Sequence, residues 1–176
     1  MKSISKFYLG VFLKLGVLFL LITALTRLVM GAEINLNELL VTSMIFAGLL
    51  VIVAGIAHII IMKMRGVKVF TDRKLSVNQN RSFKSTLSKN ELIDKLKTDQ
   101  FFGRMKLSEK DDNIAIRTRV TFWTWGENIV IKTKELNDNL FEYSISSKPW
   151  LPTTLIDYGK NFKNVSRLEE LIEPVS

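Results

Sequence analysis

Two stretches near the start of the chain, residues 7–30 and 39–62, are apolar at nearly every position, whereas the remaining two thirds break into short alternating and helical patterns. Each stretch is 24 residues long. A helix rising about 1.5 Å per residue needs roughly 20 apolar residues to cross a hydrocarbon core of about 30 Å, so both are predicted to span a membrane with room for tilt. The short connector, 31–38, forces an antiparallel hairpin. The pattern divides the chain into a transmembrane hairpin at 1–64, a basic juxtamembrane segment at 65–84 that ends in a candidate first strand, and a small α+β domain at 85–176.

Within that domain, Ser88-Lys89-Asn90-Glu91 reads as a capping box, in which the Ser hydroxyl and the Glu carboxylate satisfy free backbone donors at a helix start. Leu87 and Leu92 stand where a hydrophobic staple belongs, and Leu92, Ile93 and Leu96 give one apolar face, predicting a short helix to Thr98. Period-two alternation comes next. Ile114, Ile116, Val120 and Phe122 oppose Arg117, Arg119 and Thr121; Ile129 and Ile131 oppose Lys132 and Lys134; Phe141, Tyr143 and Ile145 oppose Glu142 and Ser144. Met105 and Leu107 mark a shorter strand before these, and Phe83 with Leu87 marks one before the helix. Turn residues separate the strands at Asp111-Asp112-Asn113, Trp125-Gly126-Glu127 and Asn137-Asp138-Asn139. Asp157 as a cap, with Tyr158, Phe162, Val165, Leu168 and Ile172 at helical spacing, predicts a long final helix that is amphipathic from end to end. The order strand, helix, four strands, helix predicts an antiparallel sheet whose one apolar face is covered by two helices.

The link between the last strand and the last helix gathers the candidate site residues Lys148, Trp150, Thr153, Thr154, Asp157, Tyr158, Gly159, Lys160 and Asn161. Pro149 and Pro152 hold it extended and withhold two backbone donors. The free N–H groups of a helix start, with Lys160 beside them, suit a phosphate or carboxylate; Asp157 competes for the same donors. In the purely structural alternative Asp157 caps the helix, Gly159 permits close packing on the sheet, and Asn161 and Asn164 bond neighbouring loops. A Ser-Lys-Pro strand end leading to an Asp-Tyr-Gly-Lys-Asn helix start resembles the C-terminal signature of small uncharacterised bacterial membrane-anchored proteins with a two-helix hairpin, over residues 125–171. The arrangement is also similar to helix-grip or TATA-binding-protein-like folds, in which a sheet curls around a long C-terminal helix. These resemblances imply a bacterial inner-membrane setting and a groove between sheet and helix, and no known reaction. A pleckstrin-like domain is the alternative fold, and the helix near Ser88 counts against it.

Charge matters through where it lies. The net charge is +8, but residues 63–84 hold seven basic side chains and one acidic, while residues 85–176 hold fourteen of each. Lys63, Arg65, Lys68, Arg73 and Lys74 therefore sit where anionic headgroups attract each cation by about 1 kcal/mol. A nucleic-acid binder would carry its basic stripe on the folded domain, so no nucleic-acid partner is expected. Lys2 and Lys6 before the first run, and the basic cluster after the second, contrast with Glu33 and Glu38 in the connector; both termini are expected in the cytoplasm. A cleaved signal peptide is a competing reading of the first run, opposed by its length and by Lys14.

Lys14, Arg27 and His58 interrupt the apolar helices. Snorkelling of Lys14 and Arg27 to headgroups, and a place near the inner interface for His58, account for them without an ion pathway. Ala47, Gly48, Ala54 and Gly55 form a close-packing face on the second helix, serving either the first helix or a homodimer. With no cysteine and one histidine, disulfides, thiolate metal sites and a cysteine nucleophile are excluded and a histidine metal centre is not expected; no cofactor is implied. The carboxylates Asp111, Asp112, Asp138, Glu169 and Glu170 are placed in turns or on helix surfaces, and no phosphate loop or nucleophile motif is present, so an enzyme is not expected. Trp123 and Trp125 are expected in core or turn packing, the alternative being an exposed pair that dips into the membrane interface; Arg117, Arg119, Lys132 and Lys134 are expected on one exposed sheet face, solvated or, in the functional alternative, in contact with lipid headgroups or an acidic partner. The expected function is a non-enzymatic, membrane-anchored domain that binds a partner protein or an amphipathic lipid ligand. The alternative is a structural or regulatory subunit of a membrane complex.

Overall fold

The computed structural model describes residues 2–110, 113–121, 124–137 and 139–172 and divides into two units, Met1–Leu75 and Ser76–Ser176. The first unit holds α1 (Lys2–Val29), α2 (Leu36–Met64) and the short α3 (Asp72–Leu75). Helix α1 starts before the apolar run and α2 outlasts it at both ends, because helical backbone continues through flanking polar residues. At the start of α2 the Asn35 side chain accepts from the N–H groups of Asn37 and Glu38, at 3.1 and 3.3 Å. Both helices are long and apolar enough to cross a membrane. Only 11% and 17% of their most apolar windows are buried, so these are not core helices of a water-soluble fold: Leu13, Leu21, Leu25, Ile45, Leu49 and Ile52 all face outward.

The inner seam of the hairpin uses the small residues of α2. Ala47 is fully buried, Ala54 is half-buried, Gly48 faces Phe12, and a Cβ on Gly55 would lie 3.2 Å from the Tyr8 ring. Helix α1 thus occupies the close-packing face. His58 is 1% exposed between the two helices, with its Nδ1 2.9 Å from the Tyr8 hydroxyl, which also donates to Gly55 O. Arg27 does not snorkel freely. Its guanidinium bonds Glu38 at 3.0 Å and donates to Glu33 O at 3.1 Å, closing the connector. Lys14 is exposed.

The second unit runs β1 (Gln79–Ser85), α4 (Lys89–Thr98), a 3-10 turn (Phe102–Arg104), β2 (Lys106–Lys110), β3 (Asn113–Arg117), β4 (Glu127–Asn137), β5 (Leu140–Pro149) and α5 (Lys160–Ile172). It starts at Ser76 rather than 85 because β1 pairs along its length with β5. The sheet is antiparallel in the order β1-β5-β4-β3-β2, leaving β1 and β2 as edges instead of closing a pleckstrin-like barrel. The capping box forms as expected, with Ser88 N donating to Glu91 Oε2 at 2.8 Å. Ile114, Ile116, Ile129, Ile131, Tyr143 and Ile145 of the sheet pack with Leu92, Leu96, Phe102, Val165, Leu168 and Ile172, all at most 2% exposed. Each such side chain contributes about 1.5–3 kcal/mol.

Three expectations change. Strand β3 stops at Arg117: Thr118 keeps the inward parity, but Val120 is 62% exposed instead of continuing the apolar side. Trp125 is 61% exposed, not packed, while Gly126 takes φ 89° and Glu127 becomes the first, buried residue of β4 rather than a turn residue. Helix α5 starts at Lys160, after Tyr158 and Gly159 in the left-handed region at φ 53° and 72°. Tyr158 and Phe162 are consequently half-buried, and the buried side of the first turn is polar, Asn161 and Asn164. Asp111, Asp112, Phe122, Trp123 and Asp138 lie outside the described residues.

Candidate functional site

At one end of the core, β5 and α5 meet through polar groups. Asp157 is 2% exposed; its Oδ1 accepts from Gly159 N at 3.0 Å, and its Oδ2 accepts from Asn161 N and Asn161 Nδ2, each at 2.9 Å. Asn161 Oδ1 accepts from Ser147 Oγ at 2.6 Å, and Asn164 Nδ2 donates to the same Ser147 oxygen at 3.3 Å. Glu127 lies in phase with Ile129 and Ile131 on the core side of β4 and is 1% exposed. The Thr118 hydroxyl donates to Glu127 Oε2, while Glu127 N donates to Thr118 Oγ1 at 2.8 Å.

Burying a carboxylate costs several kcal/mol, which hydrogen bonds offset in part. Burial pushes the Asp157 carboxyl above the usual 3.8; the donors of Asn161 and Gly159 pull it down, and the nearby Glu127 charge adds to the rise. Glu127 Oε1 and Asn164 Oδ1 are buried without a hydrogen-bond partner among the described residues.

Thr118 also forms one wall of a cleft of about 220 Å³ between the 3-10 turn, the β3–β4 connection and the start of α5. Arg104, Arg119 and Lys160 line it above Phe101 and Met105. Lys160 Nζ lies 5.6 Å from the Phe101 ring centre and Arg167 Cζ 5.0 Å from it. Asp99 holds that ring in place: its Oδ1 accepts from Phe101 N and Phe102 N at 2.8 Å, and its Oδ2 bonds Arg167 at 2.9 Å. Burial alone would raise the Asp99 carboxyl, but the Phe102 and Phe101 donors and Arg167 outweigh it and hold it below the usual 3.8. Three cations over an apolar floor, with no carboxylate in the lining, suit a small anion carrying an apolar part. The volume is below the roughly 300–1,000 Å³ of a drug-sized pocket, so the cleft fits a headgroup rather than a whole lipid.

The candidate residues 148–161 therefore separate. Asp157 and Asn161 join the buried cluster, Lys160 lines the cleft, and Tyr158 and Gly159 make the turn between them. Gly159 serves that turn by its positive φ. Lys148 is exposed on the opposite face of the sheet, Trp150 lies under the Arg117 guanidinium at 4.8 Å, and Thr153 is exposed. Thr154 Oγ1 donates to Leu151 O at 2.8 Å, closing a turn. Asn161 bonds the loop residue Asp157 as well as Ser147 on β5, whereas Asn164 bonds Ser147 on the strand. Arg119 leaves the basic sheet face for the cleft, whereas Arg117, Lys132 and Lys134 remain on that face. Lys63, Lys68 and Arg73 are exposed, and Arg65 and Lys74 half-buried, in the segment after α2.

Sequence reasoning missed Thr118, Glu127, Ser147 and Arg104. The alternation Glu127, Ile129, Ile131 signals that Glu127 points to the core, and the same parity places Ser147 with Tyr143 and Ile145; nothing local marks Arg104. Among the described residues no group of three or more His, Asp or Glu side chains could hold a metal ion. Compared with protein-family models and with curated proteins, the chain matches none.

Proposed function

We propose that this protein is a multi-pass resident of a bacterial cytoplasmic membrane, with both termini in the cytosol, whose α+β domain binds rather than catalyses. Its ligand is the anionic headgroup of an amphipathic molecule, held in the cleft beside Asp157. The observation that carries this reading is the cleft itself: Arg104, Arg119 and Lys160 converge above Phe101 and Met105, on a unit that follows two outward-apolar helices in the chain. A phosphate or carboxylate meets the cations while a short apolar portion covers the rings. Asp157 and Glu127 are engaged by backbone and side-chain donors behind the cleft, which supports a scaffolding role for them over acid–base work. The basic residues after α2, against the acidic connector, support the cytosolic placement.

Two experiments test it. The chain has no cysteine, so single substitutions Glu33→Cys and Ser108→Cys report topology without background. In intact cells a membrane-impermeant maleimide should label the first and spare the second; the reverse overturns the placement. Native mass spectrometry of the full chain, released from membranes in mild detergent, should reveal a bound anionic amphiphile that the double variant Arg104→Gln/Arg119→Gln loses. Retention by the variant, or an empty wild-type protein, overturns the ligand assignment.

A further inference from the structure

The face of the sheet that looks away from α4 and α5 is an electrostatic pole. The cross-strand register brings Lys84, Lys148, Lys132, Lys134, Arg117, Lys106 and Lys110 onto it. All seven are exposed. Between them stand Ser82, Ser144, Ser108, Ala115 and Asn128, with Val130 at the centre, and among the described strand residues Glu142 is the one carboxylate on this parity. The face thus carries seven basic side chains and one acidic, whereas residues 76–176 as a whole carry sixteen basic and fourteen acidic. The rest of the unit is then net negative, so the separation of charge is much larger than the total suggests.

We infer that this open face docks on the anionic headgroups of the membrane that holds α1 and α2. The inference rests on the reading of those helices as membrane-spanning. Three observations favour a lipid surface as the occupant. A broad floor of short side chains, mainly Ser, Asn and Ala around Val130, ringed by lysine and arginine, matches a surface of many separate charges, with no pocket required. The chain between Met64 and Ser76, at about 3.4 Å per residue, reaches at most about 40 Å, so a bilayer is always near while a soluble partner must be recruited. One aromatic ring, Trp150, lies against Arg117 at the end of this face, and among the described strand residues no row of rings accompanies it for successive bases to stack on, which separates the face from sheets that read single-stranded nucleic acid. Attraction to a charged bilayer falls off over about 8–10 Å in physiological salt, which lets the whole face act together once it lies flat.

The full chain in nanodiscs tests this. Ser108→Cys on the open face and Lys163→Cys on the exposed side of α5 each carry a fluorophore, and the discs contain a lipid with a quencher on its headgroup. In discs with phosphatidylglycerol the label at 108 should be quenched and the label at 163 not, and added salt should release the quenching. Neutralising Lys106, Lys110, Lys132 and Lys134 to Gln should weaken docking by about fivefold for each cation that touches the surface. Equal quenching in purely zwitterionic discs, or quenching at 163 instead of 108, overturns the inference. So does a label at 108 that ignores lipid charge but responds to an added oligonucleotide, which assigns the face to nucleic acid. Failure of the protein to enter discs at all refutes the membrane-spanning reading; entry without charge dependence refutes the docking alone.

Discussion

Replacing Asp157 by Ala removes the acceptor for three donors at once, Gly159 N, Asn161 N and Asn161 Nδ2. Each buried donor left without a partner costs about 1–3 kcal/mol. Relief of the carboxylate's own burial and local relaxation return part of the sum, leaving a loss of about 3 kcal/mol. For a unit of this size a loss of 1 kcal/mol lowers Tm by about 4–8 °C, so the drop should be about 12–24 °C. All three tryptophans lie in the second unit, so thermal melts of the full chain in detergent, followed by tryptophan fluorescence, report this unit. Asp157→Asn is the companion variant. Its amide nitrogen must face either the Gly159 N–H or the Asn161 pair, donor against donor, so it also destabilises, but it removes the titration. The folded-state value of Asp157 is raised, so the native state retains a proton that the unfolded chain releases. The stability tied to that proton is fully present below pH 3.8 and is lost as pH rises through the raised value. The gap between wild type and Asp157→Asn should therefore narrow from acid toward neutral pH. A Tm for Asp157→Ala within about 2 °C of wild type, or a gap that widens over that range, refutes the assignment of Asp157 as a buried organiser of the α5 start.

Asp99 has the opposite sign. Its folded value is depressed, so its contribution is present above pH 3.8 and lost as pH falls through the lower folded value; Asp99→Asn should be clearly less stable than wild type at neutral pH and converge with it in acid melts. Gly126→Ala places a Cβ 2.9 Å from Thr118 O at φ 89°, and should cost more than about 1 kcal/mol in the same assay, with an unchanged Tm counting against the turn geometry. Gly55→Val puts branched carbon into the Tyr8 ring, which a Cβ alone already approaches at 3.2 Å; disulfide cross-linking between cysteines placed on α1 and α2 should drop, and full cross-linking would refute the close seam. Trp150→Ala removes the surface stack on Arg117, and at an exposed site should cost about 0.5–1 kcal/mol without altering the cleft's ligand.

Much of the fold is legible in the sequence because it depends on local pattern. The two apolar runs, the Ser88–Glu91 box and the alternation in β4 and β5 each specify their element without help from distant residues. The illegible parts depend on contacts across the sheet. Strand β3 alternates as far as Phe122 on paper, and Thr118 keeps the inward parity of Ile114 and Ile116 by bonding Glu127, a partner nine residues on that a period-two count treats as part of a turn; the pattern breaks after it, where Val120 is exposed. The start of α5 shifts for a related reason. Asp157 does serve the first-turn donors, as its place in the sequence suggests, but the two left-handed residues after it delay the helix, so the core-facing positions of the first turn fall to Asn161 and Asn164. The cleft is invisible in the sequence because Arg104, Arg119 and Lys160 come from three separate parts of the chain. Of the nine candidate residues between Lys148 and Asn161, the sheet separates those on its two sides, a consequence of β5 parity that a linear window cannot display.

The polar cluster and the basic face answer one structural demand from two directions. An antiparallel sheet that buries one face on helices leaves the other to solvent, and the middle of the sheet follows that rule: isoleucine and tyrosine inward, with mainly lysine, serine and asparagine outward. One departure is the end of the sheet where Glu127 and Ser147 occupy inward, buried positions. There the covering helix also changes character, presenting Asn161 and Asn164 before Val165, Leu168 and Ile172 take over. A sheet and a helix that turn polar at the same end, in matched register, make a specific contact that an apolar junction of the same size would leave free to slide. That contact fixes the start of α5, and Lys160 with it, so the cationic rim of the cleft is set by the buried hydrogen bonds of Asp157 and Asn161. Weakening them should therefore loosen ligand binding as well as the fold, whereas weakening the apolar end of α5 should cost stability alone.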